Sequence, residues 1–462
     1  MSTSGGVGMT GGGQLEERIA QWREFVSRRD AIARDVDELE SHLRDQIDGL
    51  QASGLAPDEA FLIAVKRMGR LDELSKEFAR EHSERLWKQL VMPDAAPQAS
   101  DPRSLWLALG LAVGAALAVR LAAVLLPGGA TGALINASVL VLPFLAIHFL
   151  VRRRASAVTT VAVLVPFAIT AVVLNAYPFA PDGMTQALSA MHAVVAMWLV
   201  VGIAYAGGDW RSGRARMDFI RFSGEWLVYY ALIALGGAVI TAITLGVFGS
   251  IGIDAQPFVG EWLLPCGAAG AVLIAAWLVE AKQSVVENIA PVLTKVFTPL
   301  FTLLLLALIG AWIVQGVTAS SEGTIVVFGE RDLLIIFDVT VIFALALLLY
   351  SLSARDPLQP PGWFDRLQIV LLASVLVVDV LVLVSMVGRI AEYGSSPNKL
   401  ASLGLNVILL VNLVGATWLQ ARFVFGRERF AALESWQTAF LPVYLAWTAI
   451  VVAIFPVIFG YV

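Results

Sequence analysis

The sequence predicts an all-α protein: a polytopic transmembrane helical bundle of about eleven spans, preceded by a small cytosolic helical domain. Three observations support this fold class. Apolar residues make up 58% of the 462 positions and charged residues 15%, whereas soluble domains carry about 45–50% and about 25%. Charge is concentrated near the N-terminus, where the first 90 residues hold 30 of the 69 Asp, Glu, Lys and Arg residues. The apolar segments that follow recur at the length a membrane-spanning helix needs.

The N-terminal part divides into a disordered Gly- and Ser-rich tail over 1–13, a helical module over 14–90 and a Pro-containing linker over 91–103. The tail has no apolar stretch, so it is not a signal peptide and the first span inserts uncleaved. Two faces of the module repeat at helical spacing: Leu15, Ile19, Trp22 and Val26, then Val36, Leu39, Leu43, Ile47 and Leu50. A third helix begins at Pro57, where proline suits a first turn, and a fourth is predicted over 71–90.

The region 104–462 contains the apolar segments. Inside lipid every backbone amide must bond within its own segment, so each segment is predicted to be a helix. They fall near 104–126, 131–151, 156–176, 186–206, 226–250, 260–281, 296–317, 332–352, 366–388, 400–420 and 438–460.

The distribution of Lys and Arg predicts the orientation, because basic residues concentrate in cytoplasmic loops. With the N-terminus inside, the outer loops hold only Arg331, Arg389 and Lys399. The inner loops hold Arg152, Arg153, Arg154, Arg211, Arg214, Arg216, Arg221, Lys282, Lys295, Arg355, Arg366, Arg422, Arg427 and Arg429. This pattern predicts a multi-pass protein of the bacterial cytoplasmic membrane, with a cytosolic N-terminus and Val462 outside.

Four short motifs in the N-terminal module resemble a bacterial family called the permease prefix domain: ELESHLR at 38–44, GLAPDEAF at 54–61, RMG at 67–69 and EFA at 77–79. Ala56 stands where relatives usually carry a Ser cap, so one N-cap bond is expected to be missing. The resemblance implies a prefix that precedes a polytopic domain. Similar helical prefixes are associated with small transcriptional regulators, which makes a cytosolic protein partner for residues 14–90 an expectation.

The membrane part resembles the domain-of-unknown-function family four-one-five-three over roughly 190–460. The motifs are RFSGE at 221–225 and RIAEYGSSPNK at 389–399, in which Ser396 and Lys399 replace the family's usual Thr and Arg. The resemblance implies membership and no activity. In the second motif the candidate residues are Arg389, Glu392, Tyr393, Gly394, Pro397 and Asn398. Arg389 and Glu392 can pair across a helical turn, and Pro397-Asn398 can turn the chain, so a structural turn and a binding loop both remain open.

Three ionisable residues fall inside predicted spans, where a charge costs roughly 2.5–3.5 kcal/mol on insertion scales. Arg120, Asp338 and Asp379 each lie about six to nine residues from the outer end of a span, so they share a similar depth. One hypothesis is an ion-paired cluster in a polar cavity that serves as a substrate or coupling-ion site. The alternative is a structural ion pair, or solvation at the outer rim.

The remaining polar residues favour structural roles. His148 and His192 are interpreted as packing residues, and Glu225, Glu261, Glu280 and Lys282 as span-end groups that extend to water. Asn136, Asn175, Asn406 and Asn412 are predicted to bond between helices. No zinc-site spacing, H-E-x-x-H, G-x-S-x-G or phosphate-binding loop is present, so no cofactor or metal is predicted and an ATPase, zinc hydrolase or serine hydrolase is disfavoured.

Three functions follow from these observations. The first is a transporter-like or permease-like protein with a regulatory cytosolic prefix. The second is a membrane sensor whose N-terminal helices bind a cytosolic regulator. An intramembrane enzyme that uses the two aspartates ranks third, since neither has a familiar motif around it. The lipid bilayer is the predicted partner in each case, the net charge of −5 disfavours nucleic-acid binding, and the oligomeric state is left open.

Overall fold

The computed structural model describes residues 15–16, 18–20, 22–23, 36–53, 55–68, 102–181, 183–281, 289–321, 331–357 and 359–462. The chain divides into two compact units, Met1–Ala99 and Ser100–Val462. The predicted tail over 1–13, the fourth helix over 71–90 and nearly all of the linker over 91–103 lie outside the described residues.

The N-terminal unit contains two described helices, α1 (Val36–Ala52) and α2 (Pro57–Met68), and helical residues around Ile19 and Trp22. The predicted apolar faces form its core, in which Trp22, Leu43 and Ala60 are fully buried. At the start of α2 the side chain of Glu59 accepts a hydrogen bond from the Ala56 amide at 3.3 Å. The N-terminus of α2 is thus held from its third residue, although Ala56 has no capping side chain.

The membrane unit is all-α, and no strand occurs among its described residues. A π-helical turn spans Val259–Leu263. The helices are α3 (Pro102–Leu125), α4 (Ala130–Ile135), α5 (Ala137–Arg152), α6 (Ala157–Ala176), α7 (Met184–Tyr205), α8 (Gly213–Ser250), α9 (Gln256–Phe258), α10 (Leu264–Ala281), α11 (Ile289–Ser321), α12 (Arg331–Ser353), α13 (Trp363–Tyr393), α14 (Pro397–Val424), α15 (Phe430–Ala453) and α16 (Phe455–Ile458).

Ten described helices are long and apolar enough to cross a membrane, and α5 is a shorter apolar helix. Together they match the eleven predicted segments, so the predicted fold class is confirmed. The second segment is split at Asn136 into α4 and α5. The eleventh begins at Phe430 rather than 438 and breaks between Ala453 and Phe455, just before Pro456, because proline cannot continue the backbone hydrogen bonds.

Two predicted loops are helical instead. The arginines 214, 216 and 221 lie in the first turns of α8, which has 38 residues and begins at Gly213. Likewise α13 continues to Tyr393, so only residues 394–396 connect it to α14. Hydropathy marked the apolar part of each helix and missed the polar turns that extend it.

Two groups of buried apolar side chains hold the membrane unit together. The first joins α3, α5, α6, α7, α8 and α10 around Phe149 and Leu145. The second joins α11 to α15 around Leu348, Leu371 and Leu433. Large apolar side chains are exposed along many of the helices, as in the second half of α8, and lipid is the solvent that such surfaces fit.

Candidate functional site

The candidate site lies where α12, α13 and α14 pack together, and Asp379 of α13 is at its centre. Asp379 is fully buried between Val378 and Val382. Both of its carboxylate oxygens are buried, and neither has a hydrogen-bond partner in the described part of the chain. An ionised carboxylate in this environment would be far more costly than a neutral one.

Asp338 is the second carboxylate of the site, and it lies on α12, which packs against α13. Unlike Asp379, it has neutral hydrogen-bond donors from α14. The hydroxyl of Ser402 donates to Oδ2, and Nδ2 of Asn406 donates to Oδ1 at 2.8 Å. Ser402 and Asn406 are four residues apart, so they present both donors on one face of the helix.

The side-chain amide of Asn406 has an acceptor atom that is not used in a hydrogen bond with the residues that the structure describes. It is 1% exposed, and its Nδ2 also donates to the Ser402 carbonyl at 3.1 Å. Its Oδ1 is buried and accepts no hydrogen bond from any described residue. The site therefore combines two carboxylates with an unused amide oxygen and is rich in acceptors. It lacks the metal-ligand clusters that preformed ion sites show, since the described residues contain no group of three His, Cys, Asp or Glu side chains that could hold a metal.

Arg120 does not belong to this site. Its Nη2 lies 2.9 Å from Oε2 of Glu261, and its guanidinium stands over the Trp262 ring at 4.6 Å. Both partners come from the π-helical turn before α10, which packs near α3. The expected ion-paired cluster of Arg120 with the two aspartates is thus not the observed arrangement, because a closer carboxylate satisfies the arginine.

A second polar layer lies on the same pair of helices, α13 and α14. Nε2 of Gln420 donates to Oε1 of Gln368 and to the Asp365 carbonyl, both at 3.0 Å. Oδ1 of Asp365 lies 2.8 Å from Nε of Arg355. Gln368 and Asp379 are separated by eleven residues, or about 16 Å of helix. The buried side chains between them are mostly apolar (Leu371, Leu372, Val375, Leu409, Leu413 and Ala416), with Ser374 and Asn412 as buried polar residues.

A third buried charge cluster was missed by the sequence analysis. Glu280 had been interpreted as a span-end group, yet its side chain is 9% exposed and its Oε2 lies 3.0 Å from Nε2 of the buried His148. The Oε2 atom is also 3.2 Å from Nε of Arg152, and Arg153 approaches Oε1 at 3.7 Å. His148 and Arg152 are four residues apart on one helical face, but nothing near Glu280 in the sequence indicates that they are its partners.

The structure also shows the partners of the asparagines and of His192. Asn136 bonds to Asn175, and Asn412 bonds to Gln437 at 3.1 Å, so the predicted hydrogen bonds between helices are confirmed. Nδ1 of His192 donates to the Leu188 carbonyl at 2.9 Å, within its own helical turn.

The residues around the end of α13 form a compact turn. Gly394 has a φ of +76°, a conformation that favours glycine, and its carbonyl accepts a hydrogen bond from Nζ of Lys399 at 2.8 Å. The guanidinium of Arg389 and the ammonium of Lys399 both stand over the Tyr393 ring, at 5.9 and 5.7 Å. Glu392 lies in the last turn of α13, and Pro397 and Asn398 open α14.

Comparison with protein-family models, with curated proteins and with solved structures finds no match to this chain. The resemblances to the permease prefix domain and to family four-one-five-three stay predictions. The function must therefore be argued from the site itself.

Proposed function

We propose that this multi-pass membrane protein is transporter-like and that Asp379 takes up and releases a proton as part of its transport cycle. One observation carries the proposal: a fully buried carboxyl group in the bundle has no hydrogen-bond partner among the described residues. Ionisable groups in this position are a functional hypothesis by default. A neutral, protonated Asp379 fits the resting site, and an ionised one requires water or an ion to enter.

The surroundings of Asp379 favour a proton over a metal ion. A cation such as Na⁺ is held by several oxygen ligands at once, whereas the oxygens of Asp379 have no described polar partner. Asp338 provides a second carboxyl group on α12, the helix that packs against α13. When one carboxyl group of such a pair ionises, the other retains its proton more strongly, so the pair holds and transfers protons as a unit.

The proposed orientation follows the Lys and Arg distribution: N-terminus in the cytosol of a bacterial cell and C-terminus outside. A reporter enzyme that is active only outside the cytosol, fused after Val462, should be active. A fusion active only in the cytosol would contradict the eleven-span topology.

Infrared spectroscopy of the purified protein tests the protonation. The wild-type protein should show a carbonyl stretching band from a protonated carboxyl group, and Asp379→Asn should lack it. Transfer to D₂O should shift the band within the time of a transport cycle, because a working site opens to water. A structural carboxyl group would give a band that does not exchange.

Proton flux into proteoliposomes tests the transport. A potassium gradient with valinomycin sets the membrane potential, and an enclosed pH-sensitive dye reports proton entry. Asp379→Asn should abolish entry, whereas Asp209→Asn, a change at an exposed residue between α7 and α8, should preserve it. Equal flux in wild-type protein and Asp379→Asn, with both eluting as folded protein in size-exclusion chromatography, would refute the proposal.

A further inference from the structure

A cavity of about 610 Å³ lies at one end of the membrane unit. Its walls are the first turns of α8, the end of α12 with the turn after it, and the first turns of α15. The volume is in the range of small-molecule sites. Six of the lining residues are charged: Arg214, Asp218, Arg221, Arg355, Asp356 and Glu434. The cavity is distinct from the Asp379 site, which lies deeper in the bundle.

One of these charged side chains, Arg355, already has partners within the protein. Arg355 lies 2.8 Å from Asp365, and its guanidinium stands over the rings of Phe423 and Phe430, at 4.6 and 4.8 Å. This arginine therefore shapes the wall and has little capacity left for a ligand.

The α8 wall presents a different arrangement. Arg214, Asp218 and Arg221 follow at intervals of four and three residues, so they lie on one helical face, and all three line the cavity. The wall carries one net positive charge. The Nε atom of Arg221 is buried and has no hydrogen-bond partner within the described ranges. A buried donor without an acceptor destabilises the fold, and an anionic oxygen in the cavity would remove that penalty.

The α15 wall provides the opposite charge. Glu434 is half-buried there, with Ser435 and Thr438 beside it. The α8 wall carries a net positive charge and the α15 wall carries the carboxylate of Glu434. A ligand with both a negative and a positive group would match the two walls. A simple anion would leave Glu434 unmatched, and a simple cation would leave Arg221 unmatched.

We propose that this cavity binds a phosphate ester that bears a primary ammonium group. The phosphate oxygens accept hydrogen bonds from Arg221 and Arg214, since guanidinium groups match phosphate geometry. The ammonium group donates to the carboxylate of Glu434 and to the Ser435 hydroxyl. The ligand has two possible sources: the headgroup of a phospholipid whose chains lie along the apolar helices, or a free phosphoethanolamine-type solute.

Native mass spectrometry and calorimetry on the full-length protein in detergent test the assignment. The probes are a short-chain phosphatidylethanolamine, a phosphatidylglycerol with the same chains, and free phosphoethanolamine. Wild-type protein should bind the ethanolamine lipid more tightly than the glycerol lipid. Arg221→Gln and Glu434→Gln should each weaken ethanolamine-lipid binding by about tenfold or more, which is about 1.4 kcal/mol.

Arg211→Gln is the matched control, because Arg211 is exposed near the same helix end and does not line the cavity. It should leave the affinity unchanged. Binding of free phosphoethanolamine with the same variant pattern identifies a soluble ligand, and binding of the diacyl form alone identifies a lipid. Equal weakening by all three variants, or the same affinity of wild-type protein for both lipids, would overturn the proposal. Thermal unfolding of each variant separates loss of binding from loss of the fold.

Discussion

The indole ring of Trp447 occupies the space that a side chain on Gly404 would need. A Cβ atom at Gly404 would come within 2.1 Å of the ring, and a Cβ at Gly415 would come within 2.1 Å of the Trp436 ring. The two glycines are eleven residues apart on α14, as are the two tryptophans on α15, so the contacts recur after three helical turns. These glycines allow α14 and α15 to approach closely around large rings, as small residues do between membrane helices.

Gly404→Ala and Gly415→Ala should each lower the melting temperature of the purified protein. Each new methyl group must displace a partly buried ring, and overpacking of this kind costs about 1–3 kcal/mol. Differential scanning fluorimetry in detergent gives the measurement. Gly388→Ala is the control, because a Cβ at Gly388 has no neighbour within 4 Å, and alanine there should be neutral or slightly stabilising. Unchanged melting of both interface variants would show that the rings move aside at no cost.

These contacts also indicate how far the sequence could predict the structure. Apolar helices are local features, since each depends on about twenty consecutive residues, and hydropathy located the ten described helices long enough to span a membrane and the shorter α5. Partners between helices are not local: Glu280 and His148 are 132 residues apart. Nothing in the composition near Glu280 distinguishes a span-end carboxylate from a buried one.

The residues of the candidate site were predicted only in part, because burial is a local property and contacts between helices are not. Burial cost singled out Asp338 and Asp379, and the structure brings these two together. The partner of Arg120 could not be chosen from depth alone, because Glu261 and the two aspartates were all compatible with it. A π-helical turn that places Glu261 beside Arg120 has no signal in the hydropathy pattern.

The Arg120–Glu261 pair should contribute little to stability, because the Glu261 side chain is 59% exposed. Exposed ion pairs typically contribute about 0–1 kcal/mol. A double-mutant cycle with Arg120→Gln and Glu261→Gln, read by thermal unfolding, should give a coupling energy in that range. A larger coupling would mean that lipid or another protein covers the pair and strengthens it.

The Glu280 cluster should behave in the opposite way. Glu280→Gln removes a carboxylate that contacts the buried His148 and pairs with the partly exposed Arg152 and Arg153, and leaving buried hydrogen-bonding groups unpaired costs about 1–3 kcal/mol. We expect a large drop in melting temperature and in the yield of folded protein. Glu428→Gln is the matched control, because Glu428 pairs with Arg422 at 3.4 Å with both side chains a third or more exposed. If the two variants have the same melting temperature, the contacts of Glu280 stabilise the fold no more than an exposed ion pair does.

The N-terminal unit should lose stability in acid through a single carboxylate network. Hydrogen bonds from Arg44 and Arg23 hold the pKa of Glu40 below its usual value of 4.5, and Arg44 lowers the pKa of Glu16 likewise. A lowered pKa in the folded state means that the stabilisation is complete above about pH 4.5 and is lost as the pH falls through the folded-state pKa. Hydrogen exchange of the α1 amides in the full-length protein, corrected for intrinsic rates, should therefore stay constant from neutral pH to about pH 5 and accelerate below. Glu40→Gln should speed exchange already at neutral pH and flatten this dependence, whereas Asp48→Asn, on an exposed position of the same helix, should keep it. An acid response that is the same in Glu40→Gln and in the wild-type protein would place its origin elsewhere.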